Sequence, residues 1–226
     1  MKSFLVIGLM LTTLFNSNFV FADMDSKTEV MNEDGCLSES LIKEITSDFV
    51  ITFDSALDAK TISACDTNDI TNRLIRGLAF LKYGQFHTSK KSDDETFYNE
   101  FEAVKPYDFL KNRIKKIHLI DECDSKTWVA YVKNNEDTFQ VCVKNFKERF
   151  RSYIFSADYA STALHESRHT DSDDIGHVTC NRGNEKGSPM ACDKDRAQHG
   201  AYHYGTDYYA YIANFGKNFH PAIQAG

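Results

Sequence analysis

The sequence predicts a single α+β domain: N-terminal helices, a small antiparallel sheet with a hairpin, then a motif-bearing helix and a C-terminal helix, stapled by disulfides. Three observations predict it. Apolar residues recur at helical spacing early and late in the chain, while β-rich runs separated by a turn fill its middle. Six cysteines, an even number, are spread along it.

In chain order, residues 1–22 read as a secretory signal peptide. Lys2 precedes an apolar run from Phe4 to Phe15, and Val20-Phe21-Ala22 places small residues where a signal peptidase reads. The run is too short for a membrane anchor, and no later stretch reaches spanning length. The expectation is a secreted or periplasmic protein without a stable membrane anchor, its single domain running from 23 to 226. About 200 residues suffice for one sizeable core. Asp23 to Gly35 is a polar arm.

Ser38 is placed to cap a helix with Leu41, Ile42, Ile45 and Phe49 on one face. Ile70, Leu74, Ile75, Leu78 and Leu81 predict a second helix, which Gly84 stops. Thr88 to Glu95 reads as a loop, with His87 at the surface. Phe97, Phe101 and Val104 suggest a third helical stretch ending at Pro106. Ile117 to Ile120 is an apolar strand in which His118 is structural. Trp128–Val132 and Thr138–Val143 form a hairpin about Asn134-Asn135-Glu136-Asp137.

The cysteines read as disulfides, because no pair has the close spacing of a zinc ribbon or finger. Neighbour pairing is the simplest of the possible patterns: Cys36–Cys65, Cys123–Cys142 and Cys180–Cys192. The chain has 26 basic and 33 acidic residues and a formal charge of -7. That balance argues against a nucleic-acid partner, which would demand a basic face.

The chemistry concentrates in His165-Glu166-Ser167-Arg168-His169. Ser156 is the expected N-cap of a helix running from Ala157 to His169, with Asp158 in its first turn and Ala157, Ala160 and Leu164 on its buried side. Histidines four apart project from one helical face, so both imidazoles can reach one Zn2+ ion. Glu166 is turned aside by one residue, where it can act on a water as general base. A catalytic zinc takes three protein ligands and keeps one open position. His177 is the favoured third ligand, because Gly176 permits a reversal and a Cys180–Cys192 bridge would hold its loop close. His203 and Asp207 are its rivals. They share a face with His199 on an expected helix from Ala197 to Phe215, which Gly216 stops. Its packing stripe is Ala201, Gly205, Tyr208, Ile212 and Phe215, and Gly200 and Gly205 within the helix are set for close approach of the backbone to another element, such as the motif helix. The acidic run Asp171, Asp173 and Asp174 fails the calcium-loop pattern. One of its carboxylates is a candidate for orienting a ligand histidine.

At these residues the chain resembles the zincins, zinc metallopeptidases built on the His-Glu-x-x-His helix. The resemblance implies zinc on His165 and His169, water activation by Glu166, and a sheet edge beside the helix that aligns an extended substrate. The metzincin extension is absent. Gly205-Thr206-Asp207-Tyr208-Tyr209-Ala210-Tyr211 is similar to an aspzincin segment, with its aspartate one residue early. The function expected is an exported zinc metallopeptidase acting on protein or peptide substrates, with Tyr202 or Tyr209 donating to the oxyanion. Two alternatives stay open. One is an exported disulfide-rich binding protein with a structural metal or none; the other is a zinc amidase acting on cell-wall peptides.

Overall fold

The computed structural model describes residues 36–57, 62–86, 101, 105–124, 128–133, 136–149, 155–171, 176–181, 183, 186–194, 199–217 and 219. The expected signal peptide, the polar arm, His87 with the loop after it, most of the Phe97–Val104 stretch, Asn134, Asn135, Asp173 and Asp174 lie outside them.

Helix α1 (Glu39–Asp48) begins as expected, with the Ser38 hydroxyl accepting from the Leu41 amide and Leu41 and Ile45 buried. It stops one residue before Phe49, whose backbone is extended (φ -133°, ψ 136°). Strand β1 (Val50–Phe53) follows, an element the sequence reading did not assign. Its short Val-Ile-Thr-Phe run suits a strand, and the strand Lys116–Ile120 lies beside it to complete the pairing. Helix α2 (Ile70–Tyr83) is capped by the Asp69 carboxylate and closed by Gly84, as the apolar spacing predicts. Pro106 opens a helix; of the stretch expected to end before it, only Phe101 is among the described residues, and Phe101 is helical. Pro106 sits in the first turn of α3 (Pro106–Arg113), where a missing N–H removes no helical hydrogen bond.

Strands β2 (Lys116–Ile120), β3 (Ala130–Val132) and β4 (Thr138–Cys142) complete a four-stranded sheet of order β1-β2-β4-β3. The expected antiparallel sheet is mixed instead. Only the β3–β4 hairpin is antiparallel, with Ala130 opposite Val141 and Val132 opposite Phe139; β1–β2 and β2–β4 are parallel. Long connections explain the difference. Helices α2 and α3 carry the chain from β1 back to the same end of the sheet. After β2 the chain passes to the outer edge as β3 and returns between them as β4. His118 is structural, its Nδ1 2.9 Å from the Thr52 hydroxyl on β1.

Three further helices follow. Helix α4 (Val143–Arg149) leaves β4 directly, so Val143 is helical rather than the end of a strand. Helix α5 (Phe155–Arg168) already contains Ser156, which is buried within it and is not its cap. Helix α6 (Ala201–Phe215) runs to Gly216 as expected but begins later than Ala197. His199 has φ 50°, outside the right-handed helical region, so the helix cannot extend through it.

Helix α5 is the centre of the core. Ala157, Tyr159, Ala160, Ala163 and Leu164 are all inaccessible to solvent. The Tyr159 ring meets Phe139 of β4 and Phe146 of α4 at 5.9 and 5.2 Å. On its other side, α2 comes so near that a Cβ on Gly77 would lie 2.5 Å from Tyr159 Cδ1. Gly205 of α6 makes the predicted close approach: a Cβ there would stand 3.0 Å from the Ser161 hydroxyl, which donates to the Gly205 carbonyl at 3.1 Å.

The three disulfides are those of neighbour pairing, Cys36–Cys65, Cys123–Cys142 and Cys180–Cys192, and none of the cysteines is free. Such bonds persist in an oxidising compartment. Among the described residues no helix is long and apolar enough to cross a membrane.

Candidate metal centre

His165 and Glu166 lie in the last turn of α5, and His169 in the turn that closes it. There the amides of His169, Thr170 and Asp171 bond to carbonyls three residues back (3.2, 3.2 and 3.0 Å), tightening the helix end. Two charged residues, Arg168 and Asp171, fix this end. Arg168 is buried; its Nε donates to the His199 carbonyl at 2.7 Å and its Nη1 to Asp171 at 3.1 Å. Arg113 grips the same carboxylate with two nitrogens, at 2.9 and 3.0 Å. Asp171 therefore ties α3 to the end of α5 and does not orient a histidine.

His177 arrives on a loop that reverses at Gly176 (φ 70°). Val178 and Cys192 exchange backbone hydrogen bonds of 2.8 and 3.2 Å, and the Cys180–Cys192 bridge closes the same pair of strands. The clamp brings His177 to α5. Its Nε2 lies 3.1 Å from the Nε2 of His165 and 3.1 Å from that of His169. Among the described residues these three are the one group of His, Cys, Asp or Glu side chains whose ligand atoms lie within 4.8 Å of one another. Neither His203 nor Asp207 joins it; Asp207 is buried within the body of the protein.

The donor set fits a cation. A ring nitrogen has either one proton or one lone pair, so His177 Nε2 can make one good hydrogen bond and not two. No choice of tautomers satisfies both 3.1 Å contacts, whereas one ion can accept all three lone pairs. Nitrogens about 2.0–2.1 Å from a tetrahedral zinc stand about 3.3 Å apart, close to these spacings. Burial, and then the neighbouring rings of His169 and His177, push the His165 imidazole down to about 3, so it is neutral at ordinary pH, as a ligand must be.

Asp193 is the residue that sequence reasoning missed. Its Oδ1 faces His177 Nδ1 at 3.7 Å, an ion-pair separation rather than a hydrogen bond. The same carboxylate accepts from the amides of Tyr202 (3.3 Å) and His203 (2.8 Å), and so caps α6, whose own N-cap Gly200 has no side chain to do it. Gly200 leaves the seat vacant, since a Cβ there would lie 2.4 Å from the Asp193 carboxyl carbon. Burial pushes the Asp193 carboxyl up, but His177 and the two amides outweigh it and hold the carboxyl below its ordinary range. The backbone pair across the disulfide loop accounts for the position of Asp193. With Val178 opposite Cys192, antiparallel register places His177 opposite Asp193.

The three imidazoles and Glu166 lie on the floor of an open cleft of about 1100 Å³. Glu166 Oε1 is 4.0 Å from His165 Nε2, beside the nitrogen cluster rather than within it. Strand β3, at the end of the sheet, forms the facing wall. Of the two tyrosines considered, Tyr209 donates its hydroxyl to Asp158. Tyr202 lies at the cluster, its ring centroid 4.6 Å from that of His165 and 4.5 Å from that of His177. Comparison of the chain with family models, with curated proteins and with solved structures finds no match.

Proposed function

We propose that the chain is an exported zinc-dependent metallopeptidase. The reading rests on the convergence of three imidazole nitrogens, those of His165 and His169 each 3.1 Å from that of His177, with a carboxylate beside them, at the floor of an open cleft. His165, His169 and His177 would hold Zn2+, which, when bound, supplies Lewis-acid polarisation of the scissile carbonyl and acidifies a water. Glu166 accepts the proton of the attacking water and returns it to the leaving amine. Strand β3 offers an edge along which an extended peptide can pair. Tyr202, whose ring packs on two of the histidines, would donate to the developing oxyanion. Export agrees with the disulfides and with the apolar leader at residues 4–15. A closed structural site would bury its ligands under a fourth side chain; the open cleft and adjacent Glu166 favour catalysis.

The test compares zinc content and proteolysis of wild type, Glu166→Gln and His177→Ala. Wild type should carry one zinc per chain and cleave an unfolded protein. Glu166→Gln should keep the metal and lose at least about a hundredfold in kcat, and His177→Ala should lose metal. A wild-type protein without stoichiometric zinc, or a fully active Glu166→Gln, would sink the proposal.

A further inference from the structure

Five large apolar side chains are well exposed among the described residues: Val50, Trp128, Met190, Tyr202 and Tyr209. Exposed apolar residues are ordinarily scattered over a surface. Here all but Val50 line the one cleft that holds the histidine cluster. They come from three separate parts of the chain: the approach to β3, the disulfide loop, and α6. The tertiary fold, not local sequence, gathers them.

Two of them are held in place. Met190 has φ 54° in the turn that follows Pro189, a left-handed conformation that a residue with a long side chain adopts only under constraint. It is nonetheless 61% exposed, so core packing does not repay the strain. Cys192, two residues on, is fixed by both its disulfide and its backbone pair with Val178. Trp128 is 50% exposed, yet its carbonyl accepts from Asn145 Nδ2 at 2.7 Å and its ring leans on Tyr131 at 5.5 Å. Tyr202 continues the aromatic surface to the ligand histidines. The charged groups of the cleft, Asp124, Lys133 and Glu166, are of both signs and exert no strong selection by charge.

We infer that this cleft takes a peptide segment bearing a bulky apolar side chain next to the bond to be cut, with Trp128 and Met190 as the walls that select it. The inference rests on the metallopeptidase reading for the bond and on the cleft itself for the side chain. Stem peptides of bacterial cell walls, with small and charged side chains, would leave both walls in water.

Trp128 is the chain's single tryptophan, so its fluorescence reports on the cleft without any need for turnover. Zinc-loaded Glu166→Gln is titrated with a Gly/Ser host peptide carrying Phe, Leu, Gly, Glu or Lys at one central position, and with a soluble muropeptide. Phe and Leu peptides should change the emission and bind at least about tenfold tighter than the other three and the muropeptide. Met190→Gln, which alters an exposed side chain, should pull the Phe-to-Gly ratio toward one. Equal affinities across the series, tighter binding of the muropeptide or of a charged peptide, or no binding at all would overturn the inference. Cleavage by wild type separates the two claims. Selective binding without any cleavage leaves the inference standing and removes the enzyme, and cleavage without selectivity does the reverse.

Discussion

Replacing Asp193 separates two functions that one carboxylate performs together. Its oxygens accept from the Tyr202 and His203 amides at the start of α6, and Oδ1 faces the imidazole of His177. Asp193→Ala removes both. Loss of a helix cap costs about 0.5–2 kcal/mol. In a domain of this size each kcal/mol lowers Tm by about 2–4 °C, so the metal-free protein should melt about 1–8 °C earlier. Loss of a group that orients a metal-binding histidine costs about 10- to 100-fold in metal affinity. Asp193→Asn keeps an oxygen for the amides but gives up the negative charge beside His177. It should leave the metal-free Tm within about 2 °C of wild type and still bind zinc about tenfold more weakly. Thermal unfolding of the metal-free proteins and competition with a chromophoric chelator read the two effects separately. If Asp193→Asn binds zinc as tightly as wild type, the charge does not hold His177. If Asp193→Ala melts with wild type, the cap is not what secures α6.

Joint replacement of Cys180 and Cys192 by serine frees the loop that carries His177; closing a loop of this length restrains the unfolded chain by about 3 kcal/mol, and chelator competition should show weakened zinc binding as well. Gly77→Ala places a methyl 2.5 Å from the Tyr159 ring, and denaturant unfolding should show a loss of about 1–3 kcal/mol from overpacking. Asp48 accepts from Lys82 Nζ at 2.9 Å and Tyr107 at 2.7 Å and also pairs with Lys111; burial pushes its carboxyl up, but these partners outweigh it and hold it below the ordinary range. Because the folded value is the lower one, its stabilisation is present above about pH 4 and lost as pH falls through the folded value. Asp48→Asn should therefore be less stable at neutral pH and show a shallower acid limb in stability against pH; an unchanged limb would contradict the assignment.

What the sequence made legible was whatever obeys a short-range rule. The four-residue spacing of His165 and His169, the stops at Gly84 and Gly216, the β3–β4 hairpin and the three cysteine pairings are all found where those rules put them. What escaped depends on distant partners. Strand β1 is four residues long and becomes a strand because β2 lies beside it. Parallel pairing of β2 with β4 leaves no local mark, since β3 intervenes in sequence and lies outside in space. Asp193 obeys no ligand spacing; its place follows from a strand pair that forms across the Cys180–Cys192 loop. Arg168 and Asp171 sit together in sequence, but the Arg113 that completes their network comes from a distant helix.

The Val178–Cys192 clamp also imposes an order of events on the life of the chain. His165 and His169 face one way as soon as α5 forms, in any compartment where the chain is made. The third imidazole is secured only once Cys180 has met Cys192, which requires an oxidant. A newly made chain with reduced thiols thus has two imidazoles in register and a third on an untethered loop. Completion of the cluster therefore depends on an oxidising compartment, and a reducing one leaves the site two-thirds built.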